Sequence, residues 1–225
     1  MKKVILSILA IVFALTNAHG QRVLRYGVEA GADFSKQTKY TRSTKTGFNV
    51  GFVIEYDVIS PEQGIFFSSG LGLVSKPWES ETLNFIMDDK TVYTISEDAT
   101  PYYLRLPVRF GYRYALAEKW SISASTGLYI GVGLFGKSNQ YETILSPKPE
   151  ENNSFDVRDF SNKIDCFGGN GIYKQFDWGW TSSVGLQYAR NWQLNVNVDY
   201  QFNSSLKGNL KTRNLTIGVG IAYLF

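Results

Sequence analysis

The chain has 225 residues, enough for one domain and short for two. Its 23 basic and 20 acidic residues nearly cancel, which leaves no basic footprint for nucleic acid. The only cysteine is Cys166, which excludes an intrachain disulfide, and the only histidine is His19.

Residues 1–20 read as a secretory signal peptide. Lys2 and Lys3 form the charged start, and Val4 to Leu15 form the apolar run. Ala18-His19-Gly20 places small residues where a signal peptidase tests them, so cleavage is expected before Gln21. The mature domain, 21–225, then contains no histidine and carries 21 basic against 20 acidic residues. No cysteine follows the apolar run to take a lipid anchor. No later stretch approaches the roughly 20 apolar residues of a transmembrane helix.

The mature chain instead alternates apolar and polar residues again and again, the period of an extended strand. A first strand is expected at about Arg25–Lys36. The second sets Phe48, Val50, Phe52, Ile54, Tyr56 and Val58 against Gly47, Asn49, Gly51, Glu55 and Asp57. A third, less regular strand spans about Ile65–Trp78. The fourth sets Leu104, Leu106, Val108, Phe110, Tyr112 and Tyr114 against Arg105, Arg109 and Arg113. Pro107 in this strand donates no ladder hydrogen bond, so it suggests a bulge or a strand that starts after it. The fifth opposes Trp120, Ile122, Leu128, Ile130, Val132 and Leu134 to Ser121, Ser123, Ser125, Gly127, Gly131 and Gly133. The sixth is expected at about Phe176–Tyr188. In the seventh, Trp192, Leu194, Val196, Val198, Tyr200 and Phe202 oppose Gln193, Asn195, Asn197, Asp199, Gln201 and Asn203. The eighth runs through Leu215, Ile217, Val219, Ile221, Tyr223 and Phe225, opposite Thr216, Gly218, Gly220 and Ala222.

The connections alternate in length. Those near 60–64, 117–119 and 189–191 are tight, whereas those at about 37–45, 79–101, 137–175 and 205–212 are mostly long. Short turns at one end and long loops at the other mark an all-β, eight-stranded, antiparallel, up-and-down transmembrane β-barrel. A soluble barrel would show the same period with its apolar row inward. Two features favour apolar residues outward. The polar row is small or charged, with Glu29, Asp33, Glu55, Arg105, Arg109, Arg113 and Asp199, which suits a lumen that side chains fill. The tryptophans also sit at strand ends: Trp120 and Trp192 on the short-turn side, Trp78, Trp178 and Trp180 on the long-loop side. That is the placement of an aromatic girdle at the two membrane interfaces. A terminal strand ending on Phe225 resembles the signal read by the outer-membrane barrel assembly machinery, and lipid of the outer membrane is the expected surround.

The segment from Tyr102 to Tyr112 resembles the mid-chain motif of PorT-like outer-membrane barrel proteins. In that motif a Tyr-Leu pair is followed by an acidic residue, an aliphatic and proline. Tyr103, Leu104, Leu106 and Pro107 match, while Arg105 stands where the acidic residue is usual. The resemblance implies an eight-stranded barrel with no enzymatic activity assigned to most members. The founding member of that family is linked to type-nine protein secretion.

The residues themselves carry no catalytic, metal or cofactor signature. Without a mature histidine, neither a Ser-His nor an Asp-His pair can be built. A Ser-Lys pair stays open, but no spacing points to one. Arg105, Arg109 and Arg113 share one face in steps of about 13 Å. They are expected to pair with Glu29, Asp33, Glu55, Asp57 and Asp199 as a polar plug, because buried charges need partners. Three functions follow: a non-enzymatic barrel, structural or binding an extracellular protein or glycan through its loops; a narrow porin-like channel for small solutes; or an accessory of a secretion system. In loop 137–175, Tyr141, Phe155, Phe160, Ile164, Phe167, Ile172 and Tyr173 fit two readings equally, a sticky tip for a partner or packing on the barrel rim.

Overall fold

The period-two segments all form strands. The structure, a computed structural model, describes residues 24–38, 41–58, 60, 62–87, 91–147, 155–169, 171–208 and 211–225. The expected signal segment, 1–20, lies outside the described residues. The described residues form eleven strands: β1 (Leu24–Gln37), β2 (Thr41–Asp57), β3 (Gly64–Ser75), β4 (Trp78–Ser80), β5 (Leu83–Ile86), β6 (Val92–Ala117), β7 (Trp120–Pro147), β8 (Phe155–Asp165), β9 (Phe176–Tyr188), β10 (Trp192–Gln201) and β11 (Asn214–Leu224).

Eight of them close a ring. β1 pairs β2, β2 pairs β3, and β3 pairs β6. The ring continues through β7, β9, β10 and β11, and β11 returns to β1 from Gly27↔Leu224 to Gln37↔Asn214. Every pairing is antiparallel, so this is an up-and-down sheet with no free edge in the wall. Closure removes sheet edges and lets the backbone N–H and C=O groups pair within the wall, the condition for crossing hydrocarbon.

The hydrophobic distribution is inside out. Along β6, Leu104, Leu106, Val108, Phe110, Tyr112 and Tyr114 are exposed, while Arg105, Pro107, Arg109, Gly111 and Arg113 are buried. β9, β10 and β11 repeat this alternation. The buried apolar clusters are small by comparison. One joins Trp78, Ala99, Cys166, Tyr173 and Leu206; the other joins Val53, Ala222 and Leu224. An apolar wall of this extent belongs in an apolar medium, because soluble monomers rarely expose contiguous patches beyond a few hundred Å².

Pro107 forms no bulge, contrary to one expectation, and the strand does not begin after it. It pairs in register with Tyr129 of β7. Its missing N–H is accommodated on the β3 side, where the ladder lapses between Ser69↔Val108 and Gly72↔Arg105 without a change of register. Ser69 Oγ donates to the Pro107 carbonyl there at 2.9 Å. The register shifts of β6 fall elsewhere, at Tyr102/Tyr103 and Ala115/Ala117.

The long loops are also shorter than expected, because strands continue past the wall. The expected loop at 37–45 contracts to the three residues between β1 and β2. The region 79–101 contains β4, β5 and the outer part of β6. The region 137–175 contains the outer part of β7, all of β8, and a connection that follows it. These segments form a four-stranded antiparallel extension in the order β5-β6-β7-β8. Mutual pairing satisfies the facing backbone groups of these strands, leaving only the outer edges of β5 and β8 without a neighbouring strand among the described residues.

Candidate functional site: the charged lumen and its outer cap

At the short-turn end, β1, β2 and β6 bring two arginines over two carboxylates. Arg25 lies inward because its neighbours Leu24 and Tyr26 take the outer face. Its Nη2 is 2.6 Å from Glu55 Oε2, and its Nε is 2.8 Å from Asp57 Oδ2. Arg113 reaches the same pair from β6, two strands round the ring from β2, at 2.5 Å to each carboxylate. Its guanidinium carbon also sits 4.5 Å from the Phe66 ring centre. Below them the tight turn between β9 and β10 closes in. Its Arg190 carbonyl accepts from Arg25 Nη1 at 3.0 Å, and the Arg190 side chain pairs with Glu62.

At mid-height the charges are paired less completely. Arg105 forms an ion pair with Asp199. Asp33 accepts from Asn49 Nδ2 at 2.7 Å, so an amide rather than an arginine is its partner. Arg109 donates to Asn197 Oδ1 at 3.2 Å, with no carboxylate within ion-pair distance among the described residues. Glu29 faces the lumen half-buried and joins no ion pair among the described residues. Arg105 with Asp199, and Arg113 with Glu55 and Asp57, thus lie at ion-pair distance, whereas Arg109, Asp33 and Glu29 join no ion pair among the described residues.

Above this level lies a lock that the strand pattern did not reveal. Lys76, between β3 and β4, places Nζ 2.5 Å from Asp177 Oδ2 of β9. Tyr129 OH is 3.2 Å from Asp177 Oδ1, and Lys76 Nζ lies 4.7 Å from the Tyr129 ring centre. Arg25, Asp177 and Tyr129 were legible in principle, since each is an inward position between outward apolar neighbours. Lys76 was not, because it lies outside any strand.

The mouth is capped by a small core, and here Trp78 departs from expectation. It is 3% exposed and belongs to this core rather than to an outer girdle. The alternation of β3 ends at Ser75, so the face of Trp78 cannot be counted forward from it. Its indole Nε1 donates to Tyr173 OH. Tyr173 OH donates in turn to Glu97 Oε1 at 3.3 Å, and Ser138 Oγ donates to the same oxygen at 2.5 Å. Burial pushes the Glu97 carboxyl above the usual carboxylate range, although both hydrogen bonds pull the other way. Cys166 is buried in this core. Burial first, then the carboxylates of Glu97 and Asp165, push its thiol up to about 12. Phe167 lies against Gly133, where a Cβ would come within 2.3 Å of its ring, so a side chain there would force the ring to shift.

The other four tryptophans face outward. Trp120 and Trp192 flank the short-turn end beside Tyr188 and Tyr223, at ring separations of 4.7 and 4.9 Å. Trp178 packs on Phe202 at 5.0 Å, and Trp180 donates from Nε1 to Thr126 Oγ1 at 2.8 Å. Beyond them the β5-β6-β7-β8 extension carries exposed Leu83, Phe85, Ile95, Tyr141, Phe155, Val157 and Phe160.

The chain matches the outer membrane protein beta-barrel domain family over residues 5–222. No curated protein sequence matches it. Among solved structures it is similar to Ail, the attachment invasion locus protein of Yersinia pestis, at 13% identity and TM-score 0.38, covering 89% of this chain and 98% of that one. It is similar to Neisserial surface protein A at 12% identity and TM-score 0.40, covering 89% and 97%. The N-terminal barrel domain of Pseudomonas aeruginosa OprF is similar at 11% identity and TM-score 0.30, covering 88% and 97%. The closed eight-strand ring, its apolar wall and the match along nearly the whole chain agree: the protein belongs to the outer membrane protein beta-barrel domain family and resides in the cell outer membrane.

Proposed function

We propose that this barrel is a non-enzymatic anchor that holds a binding face at the outer surface, and that its lumen is a structural plug rather than a path for solutes. The observation that carries the reading is closure of the lumen at both ends by buried ion pairs. Arg25 and Arg113 bridge Glu55 and Asp57 at one end, and Lys76 meets Asp177 beneath the Trp78 core at the other. An eight-stranded wall encloses only enough space for such side chains. What remains for contact is the β5-β6-β7-β8 extension, built from the two longest strands of the chain and edged by exposed aromatic and aliphatic residues. The Tyr103-Leu104 and Leu106-Pro107 pairs support placing the chain near the PorT-like barrels, and residues 1–20 fit export by a cleaved signal peptide.

Two measurements test the reading together. The purified protein in planar bilayers should show no steady conductance. Replacement of 148–154 by a two-residue Asn-Gly turn should keep heat-modifiable gel mobility. Steady single-channel conductance from the folded wild type would contradict the plug.

A further inference from the structure

We propose that the outer edge of β8 accepts an extended polypeptide as the next strand of the β5-β6-β7-β8 sheet. The inference deepens the binding role given to the outer extension and rests on it. β8 pairs β7 over eleven consecutive residues, from Lys137↔Asp165 to Pro147↔Phe155, without a register shift. Its other edge meets no strand among the described residues. An extended strand paired on one side leaves alternate N–H and C=O groups pointing away, a ladder that only another strand matches group for group.

Free edges are normally blunted by brevity, proline, bulges or charges. β5, at the other side of the extension, is blunted by brevity, with four residues. β8 has eleven residues, about 36 Å of ladder at strand rise, and contains neither proline nor glycine. Most of its charges are turned to other work. Asp165 pairs with Lys137 at 2.5 Å, Asp159 accepts from Thr143 Oγ1 at 2.7 Å, and Arg158 Nε lies 3.1 Å from Asp156. Lys163 is left without a partner among the described residues, as the strand's one remaining guard.

The side chains define what the incoming strand looks like. Val157 extends the row Ile86-Val92-Leu145 on one face, and on the other Phe160 stands at the end of the row Leu83-Ile95-Glu142, beside the Glu142 of β7. Val157 and Phe160 are both more than half exposed. A matching segment carries two apolar residues three positions apart, one for each face. A second copy is a poorer match: antiparallel self-pairing centred on Phe160 sets Phe155 against Asp165 and Val157 against Lys163.

The probe is a synthetic peptide of residues 137–147, the strand that β8 already accepts on its paired edge, with Tyr141 and Ile144 at the required spacing. The full protein in detergent is titrated with this peptide and with two versions N-methylated at alternate amides, one set odd and one set even. Strand addition makes one N-methylated version bind like the parent and weakens the other by about tenfold or more. Phe160→Lys should weaken the parent peptide by about tenfold while heat-modifiable mobility stays unchanged. Equal binding of both N-methylated versions, absence of binding by the parent peptide, or a dimer in sedimentation that excludes the peptide would each overturn the proposal. Each of these leaves the plugged barrel standing if bilayers stay silent. Steady conductance would overturn that underlying reading instead.

Discussion

Lys76 and Asp177 lie 101 residues apart in the chain and 2.5 Å apart at the top of the lumen, both almost fully shielded from solvent. Removing one partner of such a pair strands the other charge. Lys76→Met should therefore lower the unfolding free energy by about 3–5 kcal/mol. The double substitution Lys76→Met with Asp177→Leu should recover most of that loss, because it removes both charges. Thermal unfolding in detergent, read by the heat-modifiable gel shift, checks both outcomes. A double variant no more stable than Lys76→Met would contradict the pairing.

The three arginines of β6 should rank unequally. Arg113 holds Glu55 and Asp57, whereas Arg109 donates to the side-chain amide oxygen of Asn197 and meets no carboxylate among the described residues. Arg113→Ala should cost about 3–5 kcal/mol by leaving buried carboxylates under-compensated. Arg109→Ala should cost only about 1–2 kcal/mol, the scale of one hydrogen bond from a charged donor. Both variants should remain silent in planar bilayers, since Arg25 and Lys76 still span the two ends. Equal losses of stability, or conductance with unchanged stability in Arg109→Ala, would refute this ordering.

Much of this arrangement was legible in the sequence, for a definite reason. Within the wall each side chain alternates between two environments of opposite polarity. Asn195 and Val196, or Arg109 and Phe110, therefore declare their faces by type alone. Reading failed where alternation stops or both faces become similar. Trp78 follows the Lys76-Pro77 break and turns inward. The outer half of β7 and all of β8 meet solvent on both faces, so their polarity does not alternate and the strands read as loop. Which lumen charges pair depends on the stagger of the closed sheet, which spacing along one strand does not encode. Arg109 and Glu29 were expected in pairs for that reason.

The cap should respond to pH through Glu97. Its carboxyl titrates above the usual range because it is buried. The folded cap thus binds a proton that the opened form releases, and across that window stability falls as pH rises. The contribution is fully present below the ordinary carboxylate pKa and is lost as pH climbs through the raised one. Glu97→Gln keeps an acceptor for Ser138 and Tyr173 and should flatten this dependence. Hydrogen exchange of the 97–100 and 172–174 amides at several pH values reads it directly. An unchanged pH slope in Glu97→Gln would assign the response to another group.

Cys166 should be inert in the folded protein. A buried thiol with its pKa near 12 supplies almost no thiolate at neutral pH, and thiolate is the reactive form. Alkylation by a water-soluble maleimide should be slow in the native state and complete after denaturation. Rapid labelling of native protein would show that the cap opens freely.

The central claim is that the apolar rows meet lipid. Nitroxide labels at Phe52→Cys, Val108→Cys and Val196→Cys, in a Cys166→Ser background in lipid vesicles, test it most directly, with Phe160→Cys on β8 as the water-facing reference. The account predicts that the three wall labels collide with dissolved oxygen and are shielded from a water-soluble nickel chelate, while the β8 label shows the reverse. Chelate access to the wall positions equal to that at residue 160 would contradict it.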